Sequence, residues 1–95
     1  MRVLWIGDQP PVHLRTRARE AAAQTFSALA AEHEVSLLCF VASRKENAQA
    51  KTLAALCRRM ELIPSHQGLP ALRLAVIRHV QREGFDVAHV ATSDL

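Results

Sequence analysis

Four short apolar runs alternate along the chain with longer stretches in which apolar residues recur at helical spacing. Two runs, residues 2–7 and 35–42, are apolar at nearly every position, which is typical of strands covered on both faces. A weaker run at residues 60–64 and the segment DVAHVA at residues 86–91 predict two further strands. The pattern therefore predicts four strands, with the intervening stretches left for helices.

Three helices are predicted between these strands. The first spans residues 17–32 after a candidate N-cap, Thr16, and is rich in alanine. Its buried face carries Ala22, Phe26, Leu29 and His33. The second spans residues 44–59, where Ser43 and Glu46 have the spacing of a capping box and two arginines close the last turn. Its buried side is marked by Leu53, Leu56 and Met60.

The third helix is predicted to begin near Gly68, with Pro70 in its first turn, and to stop at Gly84 as the residue after its C-cap. It directs Leu72, Val76 and Val80 inwards. The resulting β-α-β-α-β-α-β order predicts one α/β domain over residues 1–95, a Rossmann-like parallel sheet with helices on both faces. Right-handed crossovers favour the strand order 3-2-1-4, in which ligands bind beyond the carboxyl ends of the first and fourth strands.

Composition narrows the function classes. The chain has 95 residues, 49% of them hydrophobic and 22% charged, which is typical of one small folded domain. Its net charge of +3 comes mostly from arginines scattered along the chain, so no specific nucleic-acid partner is expected. Cys39 and Cys57 form no C-x-x-C pair or metal-ligand spacing, so we expect no metal and no cofactor. Unpaired thiols and the lack of a signal-like or membrane-spanning run favour a cytoplasmic location.

The loop after the first strand, DQPPVHLRTRAR, holds the most informative charges. Arg15, Arg17 and Arg19 lie before and within the first turn of the first helix, where cations oppose the helix dipole. A bound phosphate would account for them, and so would full solvation of the three side chains. The loop has neither G-x-G-x-x-G nor G-x-x-x-x-G-K-[ST], which argues against a dehydrogenase or a P-loop enzyme.

Four further residues are ligand-site candidates at the expected edge of the sheet. Gly7 ends the first strand, and Asp8 either orients a ligand hydroxyl or forms a simple turn before the two prolines. His89 interrupts an apolar strand, either as a core histidine bonded to a carbonyl or as a ring lining the cleft. Thr92 either donates to a ligand or caps a following helix. A receiver domain is disfavoured because Asp8 stands without an acidic neighbour and the third strand ends in Ile63-Pro64.

Three segments resemble the N-terminal half of GT-B glycosyltransferases of the group-1, family 4 type. MRVLWIGDQPP is similar to that family's first strand and proline-bearing loop, and FSALAAEHEVSLLCF to its first helix and second strand. FDVAHVA resembles the family's DVVHVH strand, with Asp86, Val87, His89 and Val90 matching and Ala91 in place of the second histidine. The likeness spans almost the whole chain as small motifs in a shared order.

The resemblance implies retaining-type transfer of a sugar from a nucleotide-sugar to a glycan or lipid-linked acceptor. It places Arg19 near a phosphate and Asp8 and His89 on the cleft wall. Members usually carry a Gly-Gly pair at the start of the first helix, where this chain has Arg17-Ala18. The family holds its donor mainly through a second domain with a basic pair and an E-x7-E motif, which this sequence does not contain.

The chain is therefore expected to be the acceptor-side portion of a longer transferase, inactive without its C-terminal domain. Leu95 follows directly after the predicted fourth strand, an unprotected edge, and the parent enzyme would lie in the cytoplasm or peripherally at the inner membrane. An alternative is a non-catalytic α/β module that self-associates through that edge strand. A third interpretation, a nonspecific binder of anions or nucleic acid, would use the arginines.

Overall fold

A computed structural model describes residues 1–11 and 17–91, with the backbone alone for residues 17–19. One sheet contains four parallel strands, β1 (Arg2–Gly7), β2 (Glu34–Val41), β3 (Cys57–Pro64) and β4 (Val87–Ala91). Three helices connect them, α1 (Arg17–Glu32), α2 (Arg44–Lys51) and α3 (Gly68–Arg82). The strand order β3-β2-β1-β4 confirms the predicted Rossmann-like α/β fold.

Two apolar layers lie on opposite faces of the sheet. The layer between α1 and the sheet, called the α1 layer, consists of buried side chains from both: Val3, Trp5, Phe26, Val35, Leu37 and Cys39. The layer between α3 and the sheet consists of Leu4, Leu38 and Ile63 from the strands and Ala75 from the helix. Successive side chains of a strand point to opposite faces, so a strand between two helical layers must be apolar at every position. This is the physical reason for the unbroken apolar runs at β1 and β2.

The amino end of α2 has the predicted capping box with one difference. Ser43 Oγ accepts a hydrogen bond of 3.1 Å from the Glu46 N–H, as expected for the N-cap residue. Glu46 Oε1 accepts from the N–H of Ala42, also at 3.1 Å, rather than from that of Ser43. The two bonds fix the turn between β2 and α2. The proposed cap of α1, Thr16, lies outside the described residues.

The predicted second helix over residues 44–59 is wrong beyond Lys51. A 3₁₀ turn at Ala54–Leu56 follows α2, and β3 then starts three residues earlier than predicted. Arg58 and Arg59 therefore belong to a strand and not to the last turn of a helix. Pairing with β2 along its whole length and ion pairs with a distant glutamate stabilise this arrangement, and neither is visible in local spacing.

Two details on the carboxyl-terminal side of that helix also differ from expectation. Leu56, predicted to be buried, is 47% exposed because it lies in the 3₁₀ turn. Leu53 does pack against the α1 layer, as predicted, and Met60 reaches the same layer from β3. The apolar residues of this stretch thus contact the core from two elements instead of one helix face.

The buried face of α3 is rotated from its predicted position. Leu72 and Val76 pack against the sheet as predicted, whereas Val80 is 53% exposed. His79 is buried instead, with Nε2 lying 3.0 Å from Glu61 Oε1 of β3. A polar partner on β3 makes burial of the imidazole favourable. The spacing of apolar residues does not predict this burial, because it does not show which polar group a side chain will meet.

The end of α3 does not use glycine as predicted. Glu83 is the C-cap, in an extended conformation (φ −138°, ψ 145°). Among the described glycines only Gly68, at the start of the helix, has a positive φ, of 71°. Gly84 follows the C-cap, but it does not adopt the left-handed conformation for which a glycine would be needed.

Asp86, predicted in the fourth strand, lies just before β4. Its carboxylate accepts a hydrogen bond of 2.8 Å from the Arg2 N–H, and its own N–H donates to the Arg2 carbonyl.

Candidate functional site

The carboxyl ends of β1 and β4 lie side by side at the point where the sheet changes direction. β1 leads through α1 to β2 on one side, whereas β4 lies on the other side and is reached from β3 through α3. Gly7 is in register with Ala91, and the Asp8 N–H approaches the Ala91 carbonyl oxygen at 3.4 Å. Ligands of open parallel sheets bind beyond such a switch point. The structure therefore brings Gly7, Asp8 and the end of β4 together.

Trp5 forms the floor of this region on the α1 face. Its indole is 1% exposed and meets the Phe26 ring edge-on, with ring centroids 5.3 Å apart and planes at 87°. The His89 ring stacks on the other side, at 4.4 Å and 27°. The buried indole Nε1 has no hydrogen-bond partner within the described part of the chain. An unsatisfied buried donor of this kind costs on the order of 1–3 kcal/mol, so its position needs an explanation.

Gly7 leaves room beside that indole nitrogen. A Cβ built on Gly7 would lie 3.3 Å from Trp5 Nε1 and 3.0 Å from the carbonyl oxygen of Gln9. The second distance involves backbone and cannot relax by a side-chain rotation. Glycine is thus required by the close return of the chain after β1, and the indole N–H lies against bare backbone at the carboxyl edge of the sheet.

His89 shares the face of Trp5 because the two residues are in register on neighbouring parallel strands. Its ring is half-buried, and its contact in the described structure is the stack on the indole, with no hydrogen bond to a described carbonyl. The interpretation of His89 as a core histidine bonded to a carbonyl therefore lacks its partner. The ring nitrogens stay available at the side of the cleft.

The remaining sequence candidates are placed only in part. The backbone of Arg17 and Arg19 forms the first turn of α1, so both belong to the helix that follows the β1 loop. Arg15 and Thr92 lie outside the described residues. Trp5 is the functional candidate that sequence reasoning missed. Its signal was its position two residues before Gly7, which puts both on one face of the strand.

Neither cysteine supplies a reactive thiolate. Cys39 of β2 is in register with Gly7, but it is fully buried, and burial, with nearby Glu46 and Cys57, raises its pKa to about 12. Burial likewise raises the pKa of Cys57 to about 11. Both thiols stay protonated at neutral pH. No group of three or more histidine, cysteine, aspartate or glutamate residues with metal-binding proximity occurs within residues 1–11 and 17–91.

A further cavity lies at the opposite, amino edge of the sheet. It is an open groove of about 740 Å³ between the end of α1 and the loop before β4, lined among others by Arg2, His33, Glu34 and Asp86. Its charges are largely paired with one another, since Arg2 binds Asp86 through its N–H and Glu34 at 3.3 Å. We therefore assign this edge a structural role.

Ion pairs continue from Glu34 along the amino edge. Arg58 lies 3.4 Å from Glu34 and 3.1 Å from Glu83, whose Oε1 also accepts from Arg59 at 2.7 Å. Hydrogen bonds from Arg59 and Arg58 lower the pKa of Glu83, and the same carboxylate raises the pKa of Arg58. The chain of contacts joins the amino ends of β1, β2 and β3 to the end of α3.

No family model, curated protein or solved structure matches this chain. None of the helices in the described residues is long and apolar enough to cross a membrane. The site at the carboxyl edge and the sequence motifs are therefore the basis for a function.

Proposed function

We propose that this chain forms the acceptor-side domain of a GT-B glycosyltransferase of the group-1 type. The enzyme would transfer a sugar from a nucleotide-sugar to a glycan or lipid-linked acceptor. The observation that carries the proposal is the juxtaposition of Gly7, Trp5 and His89 at the switch point between β1 and β4. The order of the sequence motifs supports it, because these residues belong to the two strands with the clearest resemblance.

The site offers groups suited to a polyhydroxylated or phosphorylated ligand. The Trp5 N–H is buried, lacks a partner among the described residues and lies against the bare backbone of Gly7, so a ligand oxygen at this edge would satisfy it. His89 presents ring nitrogens beside it, each able to donate or accept according to its protonation. Sugar hydroxyls and phosphate oxygens match both groups.

The roles follow from this placement. Gly7 permits close approach of the ligand to the backbone, the Trp5 N–H donates, and His89 and Asp8 orient hydroxyl groups at the cleft wall. Arg19, at the first turn of α1, is proposed to face a phosphate. Catalysis of the transfer would be electrostatic, through stabilisation of the leaving diphosphate, with no covalent intermediate on this chain. Transfer needs the donor-binding domain that the resemblance assigns elsewhere, so this domain is tested by binding.

The test is a titration of the isotope-labelled chain with UDP-glucose, GDP-mannose and a neutral oligosaccharide, followed by NMR. We expect amide shifts at Gly7, Asp8, His89 and Ala91, with Arg2 and Glu34 at the opposite edge unchanged. His89→Ala should weaken binding about five-fold or more, corresponding to loss of one ligand hydrogen bond. His33→Ala, which removes a histidine at the amino edge, is the matched control.

A lack of shifts at the carboxyl edge with every ligand at millimolar concentration would contradict the proposal. The non-catalytic module would then be the better interpretation of the fold. Shifts confined to the arginines that vanish in 0.5 M salt would instead identify nonspecific anion binding.

A further inference from the structure

The free edge of β4 carries a surface that the proposed function does not use. Within the described residues β4 pairs with β1 and with no other strand. Its segment Val87–Ala91 contains no charged residue and no proline, and Val87 and Val90 are 44% and 64% exposed. Natural edge strands are usually blunted by lysine, proline or a bulge, and this strand has none of these.

The direction of each backbone group on β4 follows from the hydrogen bonds of β1. The Glu34 N–H donates to the Met1 carbonyl, so the odd-numbered residues of β1 face β2 and the even-numbered ones face β4. In the register of β1 with β4, the N–H and carbonyl groups of Val87, His89 and Ala91 therefore face β1. The bond from the Asp8 N–H to the Ala91 carbonyl belongs to this pattern. The N–H and carbonyl groups of Ala88 and Val90 face away from the sheet.

We propose that this edge pairs with the same edge of a second copy of the chain, antiparallel and about a two-fold axis at His89. In that register Ala88 of each copy exchanges both backbone hydrogen bonds with Val90 of the other. His89 of each copy lies opposite His89 of the other as a pair without hydrogen bonds between them. The two four-stranded sheets join into one sheet of eight strands.

The side chains of β4 fit this register. Residues directly opposite each other lie on one face of an antiparallel pair. Val90 then faces Ala88 of the second copy, and Val87 faces Ala91, so that each larger apolar side chain meets a small one. A shift by one residue would turn inward-facing backbone groups towards the partner, and a shift by two would leave outward-facing groups of the strand unpaired. The two-fold register at His89 is the one that pairs all of them.

Electrostatics favour a second copy as the occupant. When a strand pairs with itself about a two-fold axis, like charges meet across the interface and destabilise it. Val87–Ala91 contains no lysine, arginine, aspartate or glutamate, so no pair of such charges meets across the interface. The net charge of +3 on each chain is spread over the molecule and is screened at physiological salt. A charged peptide partner would find no complementary charge on this strand.

The affinity should be modest. A contact confined to one five-residue strand is smaller than the roughly 1,200–2,000 Å² typical of stable complexes. We therefore expect a dissociation constant on the order of 1–100 µM, which corresponds to a weak, reversible dimer.

The experiment is sedimentation equilibrium of the full chain from about 5 µM to 1 mM in 150 mM salt. The unaltered chain should show a monomer–dimer equilibrium. Val90→Glu and Ala88→Lys should each raise the dissociation constant about ten-fold, because a charge is desolvated opposite an apolar side chain. Mixing the two variants should restore dimers to within about three-fold of the original affinity, since the proposed register places the new ammonium and carboxylate directly opposite each other. Leu74→Lys, an equally exposed site on α3, is the control and should leave the dimer unchanged.

Amide hydrogen exchange provides a readout that needs no variant. Val87, His89 and Ala91 should exchange slowly at every concentration because β1 protects them. Ala88 and Val90 should become protected only at concentrations where the dimer forms. A monomer at 1 mM, or a dimer in which those amides stay unprotected and V90E has no effect, would overturn the proposal. Failure here leaves the ligand titration unaffected, because that site is read from different residues and at low protein concentration.

Discussion

At the scale of single residues, Trp5 connects the core to the candidate site. Its indole is held edge-on by Phe26 and face-on by His89, yet its nitrogen has no acceptor in the described structure. Its buried area stabilises the fold, whereas its N–H is costly without a ligand. The two properties can be separated by choosing the substitution.

Trp5→Ala should lower the free energy of unfolding by about 3–5 kcal/mol, because it opens a cavity in the α1 layer. Trp5→Phe should cost less than half as much, since it preserves a ring and loses no described hydrogen bond. Urea unfolding followed by far-UV circular dichroism measures both. Equal losses for the two variants would show that Nε1 has an acceptor in the folded protein.

Gly7 and Gly84 form a matched pair. Gly7→Ala should lower the free energy of unfolding by about 1–3 kcal/mol, because the new methyl group meets the Gln9 carbonyl oxygen at 3.0 Å. Gly84→Ala should be neutral or stabilising by up to about 1 kcal/mol, since nothing lies within 4 Å and φ is not positive. Thermal unfolding of the two variants beside the parent chain checks this, and a neutral Gly7→Ala would contradict the close return after β1.

At the scale of elements, caps and strand pairing decide where helices stop. The capping box around Ser43 could be predicted from the sequence because both of its hydrogen bonds join residues three or four positions apart. The prediction of a helix beyond Lys51 was wrong because these residues are stabilised as β3. The strand pairs with β2, and its arginines bind Glu83, which is more than twenty residues further along the chain. Similarly, the burial of His79 depends on Glu61. Sequence periodicity detects an element's own pattern and does not detect partners brought near by the fold.

Ser43→Ala should reduce the free energy of unfolding by about 0.5–2 kcal/mol, because the Glu46 N–H loses its acceptor. Ser65→Ala serves as the control; this serine is exposed in the 3₁₀ turn Ser65–Gln67, where Pro64 is the N-cap, so a change within about 0.5 kcal/mol is expected. Chemical denaturation distinguishes the two. Equal effects would mean that the cap contributes little to the stability of α2.

Glu83 makes the packing of α3 on β3 sensitive to acid. Arg59 and Arg58 lower its folded-state pKa below the ordinary value of 4.5, so the folded chain binds fewer protons than the unfolded chain near that pH. Stability from Glu83 is therefore complete above about pH 5 and is lost as the pH falls through the lowered pKa. Glu83→Gln should flatten the fall in unfolding free energy between about pH 5 and 3. Identical slopes for E83Q and the parent chain would refute the role of the ion pairs.

At the scale of the whole molecule, the α/β class, strand order and two-faced core could be predicted because alternating apolar runs and helices restrict the topology. The site was predicted only in outline. The strand order placed Gly7 and His89 at a common edge, but the stack of His89 on Trp5 depends on the register between β1 and β4, which chain spacing does not encode.

Cys39 reports on opening of the whole domain. It is fully buried between β1 and β3 with a pKa of about 12, so a thiol reagent at pH 8 should modify it only through global unfolding. Its labelling rate should rise in step with the unfolded population across low urea concentrations. Peptide mapping by mass spectrometry separates it from Cys57, and rapid labelling of Cys39 in native buffer would reveal a local opening of the sheet.

The central position of β1 also has a consequence for synthesis. The strand emerges from the ribosome before its two neighbours in the sheet, which begin at Glu34 and Val87. One side of β1 thus stays without a partner until nearly the entire described chain has been translated. Nascent chains that end before Val87 would display an apolar strand of a kind that chaperones bind and that aggregates readily. Folding of this domain on the ribosome is therefore expected to be late and abrupt rather than gradual.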